Sequence, residues 1–151
     1  MSKLQEFLEQ SRVAKSALQS FDLEEKRLMS RLSELEQKYQ ETLKRQENSM
    51  KKLDELSQSI LDADRQRSAS EMQALQLLYS DQLTHYHDLK HQVGELNNHI
   101  EATKTNYVSN RKKIDTYFDK KRITDRKITL LRDEKFQLDN SAAFNKGNAN
   151  V

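Results

Sequence analysis

The chain has 151 residues, 34% of them apolar and 33% charged, with no proline, cysteine or tryptophan and only two glycines. So little apolar surface excludes a thick globular core, and the absence of helix breakers points to long helices that bury a narrow stripe. A net charge of +2 excludes a bulk nucleic-acid binder, and the missing cysteines exclude disulfides and thiolate metal sites.

The first predicted element is a helix over about 2–64. Ser2-Lys3-Leu4-Gln5 fits a capping box, a serine N-cap with glutamine three residues on. A heptad register then runs without interruption. Its a positions are Leu4, Ser11, Leu18, Glu25, Leu32, Tyr39, Gln46, Leu53 and Ile60. Its d positions are Phe7, Ala14, Phe21, Leu28, Leu35, Thr42, Ser49, Leu56 and Ala63. Such a repeat implies a left-handed coiled coil. The seam is strongest from Leu18 to Tyr39 and most polar from Thr42 to Ser49. A helix of about sixty residues spans roughly 90 Å and cannot bury its stripe on itself, so it needs a partner helix.

The repeat loses phase in Asp64-Arg65-Gln66-Arg67-Ser68-Ala69-Ser70-Glu71. The new register begins at Met72, an offset that neither a three- nor a four-residue insertion explains. Arg65 and Arg67 suit a helix C-terminus, where cations are favoured. Ser68 with Glu71 forms a second capping box. The predicted turn therefore covers about 65–70.

The second predicted helix covers about 70–139. Its a positions are Met72, Tyr79, Tyr86, Val93, Ile100, Tyr107, Ile114, Lys121, Ile128 and Lys135. Its d positions are Leu75, Gln82, Leu89, Leu96, Thr103, Asn110, Tyr117, Thr124, Leu131 and Leu138. Folding one helix on the other about Arg67-Ser68 sets Leu4 against Leu131, Phe21 against Ile114 and Leu35 against Ile100. Ser11 then faces Thr124, Glu25 faces Asn110, and small Ser49 faces large Tyr86. A turn centred half a heptad away would also align a with d. The expected fold is all-α, a long antiparallel two-helix coiled-coil hairpin forming one domain over 1–139. Residues 140–151 are expected to form a disordered polar tail. No apolar run approaches the roughly 18 residues of a membrane span. Met1-Ser2-Lys3-Leu4 lacks the apolar stretch of a signal peptide. Both observations lead to the expectation of a soluble, cytoplasmic chain.

The second helix carries the candidate sites. From Lys104 to Lys135 there are 11 cations against 5 anions. The plain reading is a solvated face; the functional one is a docking stripe for an acidic partner, centred on Lys112, Lys113, Lys120, Lys121, Arg122, Arg126 and Lys127. Nucleic acid is disfavoured because the glycine and aromatic punctuation typical of single-strand platforms is missing and the first helix is slightly acidic. His87 and His91 share one helix face, with His85 and His99 at the seam edge. No convincing third metal ligand accompanies them, so they read as surface histidines. Tyr79, Tyr86, Tyr107 and Tyr117 occupy seam positions and read first as core. Alternatively, Leu75, Tyr79 and Tyr86 are partly uncovered near the bend, opposite polar Gln46 and Ser49, and bind a protein. No phosphate-cradling loop or nucleophile constellation is evident, so neither enzyme activity nor a cofactor is expected.

The segments Arg111-Lys112-Lys113-Ile114-Asp115-Thr116-Tyr117-Phe118-Asp119-Lys120-Lys121-Arg122 and Leu131-Arg132-Asp133-Glu134-Lys135-Phe136-Gln137-Leu138-Asp139-Asn140-Ser141-Ala142-Ala143-Phe144 carry a resemblance. Together with the central break and the following Leu75 to Tyr86, they make the chain similar to the FliJ/YscO family of type III secretion. That resemblance implies a monomeric hairpin, a non-enzymatic central stalk of an export apparatus. Its chain ends would enter the pore of the hexameric export ATPase through Leu4 to Phe21 and the basic run. Leu75, Tyr79 and Tyr86 would lie nearer the export gate protein, and export chaperones would be further partners. The expected location is cytoplasmic, peripheral to the inner membrane. A different class of protein also satisfies the periodicity: a homodimeric coiled-coil tether or scaffold, distinguishable by mass and length.

Overall fold

The computed structural model describes residues 2–63 and 68–149, with side chains over 2–62 and 68–143. Two helices make up the fold, α1 (Lys3–Ala63) and α2 (Ala69–Ala149). The all-α, antiparallel two-helix arrangement expected from the heptads is the one observed. The chain forms two compact units, unit 1 from Met1–Arg27 with Tyr107–Val151 and unit 2 from Leu28–Asn106.

Both helix starts are fixed by their predicted caps. The Ser2 Oγ accepts the Gln5 N–H at 3.2 Å, and the Gln5 Oε1 accepts the Ser2 N–H at 3.2 Å, which completes the box. At α2 the Ser68 Oγ accepts the Glu71 N–H at 3.3 Å, and the Ser68 carbonyl accepts the Met72 N–H at 3.0 Å. The connection over 64–67 lies outside the described residues, and with it the expected helix-closing Arg65 and Arg67.

In α1 every described a and d side chain is buried or half-buried, and the other positions are almost all exposed. The same holds in α2 as far as Leu131. Two facing helices cover a seam side chain from one direction only, so the fully covered set is small. Its apolar members are Leu28, Leu35, Leu53, Leu89 and Ile100 in unit 2, at 2–6% exposure, and Ala14 and Ile128 in unit 1, both at 6%.

Side-chain contacts fix the pairing. In unit 1 the Phe21 ring lies 5.3 Å from the Tyr117 ring, and the Phe21 carbonyl accepts the Asn110 Nδ2–H at 2.9 Å. Tyr117 and Asn110 are the d residues on either side of Ile114, so Phe21 sits opposite Ile114, as folding about Arg67-Ser68 requires. In unit 2 the Ser49 Oγ accepts the Gln82 Nε2–H at 2.6 Å, which places Ser49 beside the d residue that precedes Tyr86. The polar stretch of the first helix is therefore a satisfied buried layer. Ser49 is 2% exposed, and Thr42, at 7%, donates to the Lys38 carbonyl at 2.7 Å.

The pairing ends at Leu131. Lys135 and Leu138 were expected to continue the seam, but both are exposed, Leu138 by 70%. The reason is geometric: α1 begins at Lys3, so α2 has no facing helix after Leu131. The α2 backbone stays helical past the expected end at 139, and the side chains of 140–143 are exposed.

Candidate functional site

Unit 1 contains the basic run from Arg111 onward, Lys104 lying in unit 2, and its cations divide by position. Lys121 falls at a seam a position. It is drawn inward, 31% exposed, with its ammonium 2.5 Å from Asp125. Asp125 also accepts the Ser11 hydroxyl proton at 2.5 Å. The Lys121 hydrogen bond, then that of Ser11, holds the Asp125 carboxyl below its ordinary value, against a weaker opposing pull from burial. Lys121 is thus committed to an ion pair within the unit. Ser11 reaches Asp125, the neighbour of the expected Thr124. Glu25, expected opposite Asn110, instead pairs with Arg111 at 3.3 Å and is itself only 15% exposed.

The other cations stand outward. Lys112, Lys113, Arg122 and Arg126 are exposed. Arg122 lies 3.8 Å from Asp119. Glu24 has its carboxyl lowered first by the hydrogen bond from Arg27, and Lys113 adds a smaller attraction. Lys120 places its ammonium 4.9 Å from the centre of the Tyr117 ring, and Lys127 lies 5.4 Å from that of Phe7. These cation–π contacts hold the two stems against the helix pair while their heads remain in solvent.

Between these lysines and α1 lies a groove of about 440 Å³ lined by Glu9, Gln10, Val13, Ala14, Tyr117, Lys120, Ile123, Thr124 and Lys127. Heptad reading of the a and d positions missed it, because Val13 and Ile123 occupy c positions. The available signal was an aliphatic residue at c on both helices at matching levels, Val13 and Ile123.

In unit 2, Leu75, Tyr79 and Tyr86 are half-buried seam residues. The fully outward apolar side chains nearby are Leu61, Leu77 and Leu78, exposed by 65%, 61% and 55%. They lie off the seam, at b, f and g positions. All four histidines are exposed, including His85 and His99. His91 lies 3.0 Å from Glu95, and His87 packs edge-on to Tyr86 at 5.7 Å. Among the described residues no group of three or more histidine, cysteine or acidic side chains could hold a metal ion. Nor, among them, is any helix long and apolar enough to cross a membrane.

Comparison with protein-family models, with curated proteins and with solved structures gives no match.

Proposed function

We propose that the chain is a non-enzymatic stalk or adaptor of a bacterial type III export apparatus, coupling the hexameric export ATPase to the export gate. Export chaperones are further clients on this reading. One observation carries it: unit 1 holds the start of α1 together with an α2 that outlasts its partner. From 132 to 143 every α2 side chain is exposed, including Phe136 at 67% and Leu138 at 70%. A helix that buries nothing on its own chain is suited to burying something on another. The outward cations Lys112, Lys113, Arg122 and Arg126 in the same unit suit an acidic surface. Leu75, Tyr79 and Tyr86, with exposed Leu77 and Leu78 beside them, form the proposed contact with the gate.

The test is co-purification of the full chain with export ATPases and with the cytoplasmic part of an export gate. Capture of the ATPase is expected, with loss on Lys112→Glu combined with Lys113→Glu. Loss of gate binding alone is expected on Leu77→Asp combined with Leu78→Asp. Absence of any complex with either partner would refute the proposal.

A further inference from the structure

A two-stranded coiled coil buries a and d and leaves c and g to solvent, so those positions are ordinarily polar. One side of unit 1 departs from this. Val13 and Ile123, both at c, are aliphatic and each 51% exposed. Beside them Ala14 is buried and Ala17, at g, is half-buried. Ala14 is among the residues that line the groove, and its small side chain keeps the floor low. The next c residue of α2, Leu130, extends the apolar row at 57% exposure. An apolar stripe widened from a and d to c is the pattern of a helix with two neighbours.

The rim supplies the charge. Lys120 and Lys127 are successive g residues, two helical turns apart, and both border the groove. Among the described residues neither makes an ion pair. Glu9, the carboxylate among the lining residues, already accepts both Arg12 hydrogen bonds, at 2.5 and 3.0 Å. The corresponding grooves of unit 2 differ in kind. Glu36, Gln40, Asn97 and Glu101 border one, and Lys38, Glu41, Arg45 and Glu95 border another. Of these three grooves among the described residues, the one in unit 1 joins an apolar floor to cations without matching anions.

We propose that this groove seats a third helix, an amphipathic helix of a partner protein. Its apolar stripe covers Val13, Ala14 and Ile123, and its flanking carboxylates meet Lys120 and Lys127. The concave floor suits a row of side chains entering from above, whereas a lipid surface would need a convex apolar face. The proposal specifies the chemistry of an occupant and stands apart from the export reading: failure to bind an export ATPase would leave it intact.

The experiment titrates the isotopically labelled full chain with a synthetic helix whose leucine stripe is flanked by glutamates. A control peptide carries lysines in place of the glutamates. Amide shifts are expected to cluster at Val13, Ala14, Ala17, Lys120 and Ile123. The double variant Lys120→Glu/Lys127→Glu should bind the acidic helix about tenfold or more weakly. Val13→Asp/Ile123→Asp should abolish binding, with helicity by circular dichroism unchanged because the two replaced side chains are exposed. Equal binding of the lysine peptide, or an acidic peptide that perturbs no unit 1 amide, overturns the proposal. So does self-association of the chain that Val13→Asp abolishes, since the groove would then belong to a second copy.

Discussion

Asp125 shows how a seam tolerates charge. It stands beside two seam positions that heptad logic would fill with aliphatics, Ser11 and Lys121, and satisfies both with one carboxylate. Because these hydrogen bonds favour the ionised form, the Asp125 pKa is lowered on folding. The stabilisation is therefore present above the unfolded aspartate value and is lost as pH falls through the lowered folded value. The side chain is 43% exposed, so solvent screening reduces the effect to a few tenths of a kcal/mol. Asp125→Asn should lower the thermal midpoint at neutral pH, and the difference from the parent should shrink towards the acid limb. A difference that stayed constant with pH would show that the carboxylate charge is not the cause.

At the scale of the element, the a and d positions were legible because a period of seven leaves few ways to bury a stripe. Leu35, Leu53, Leu89 and Ile100 were all named from spacing, and all are buried. The end of the pairing was less legible. Heptad phase continues through Lys135 and Leu138 although the facing helix has run out, and periodicity in one helix cannot report where another begins. The groove was illegible for a related reason: Val13 and Ile123 matter only once the two c positions are known to be level. Polar seam residues set which levels meet. Asn110 is 6% exposed at a d position and donates across the pair to the Phe21 carbonyl. A buried polar residue of this kind specifies register at a cost in stability. Asn110→Leu is expected to raise the unfolding free energy by about 1–2 kcal/mol, since the carbonyl keeps its helical partner and apolar area is gained. Urea denaturation measures this. The same variant should populate shifted pairings, visible as extra amide resonances from unit 1; a stabilised protein with one clean set of resonances would remove Asn110 from the register role.

For the whole molecule, pairing α1 with α2 of the same chain makes a second chain unnecessary for covering the seam. Sedimentation should accordingly give the mass of one chain, 17.8 kDa, at micromolar concentration. A persistent dimer would favour the tether reading, in which α1 and α2 find partners in another copy. Truncation after Arg132 gives a second readout on the same samples. It removes only exposed side chains among the described residues, so it should leave the thermal midpoint unchanged while weakening any complex made through Phe136 and Leu138.

The bond from Asn110 to the Phe21 carbonyl also bears on how the chain can evolve. The acceptor is main chain, present whatever residue occupies position 21. Drift at that position leaves the interaction standing, whereas a lesion at Asn110 has no compensating replacement across from it. The lock has one mutable half, so a selection for suppressors of Asn110 damage should yield changes elsewhere in the seam and none that act by rebuilding the bond from position 21.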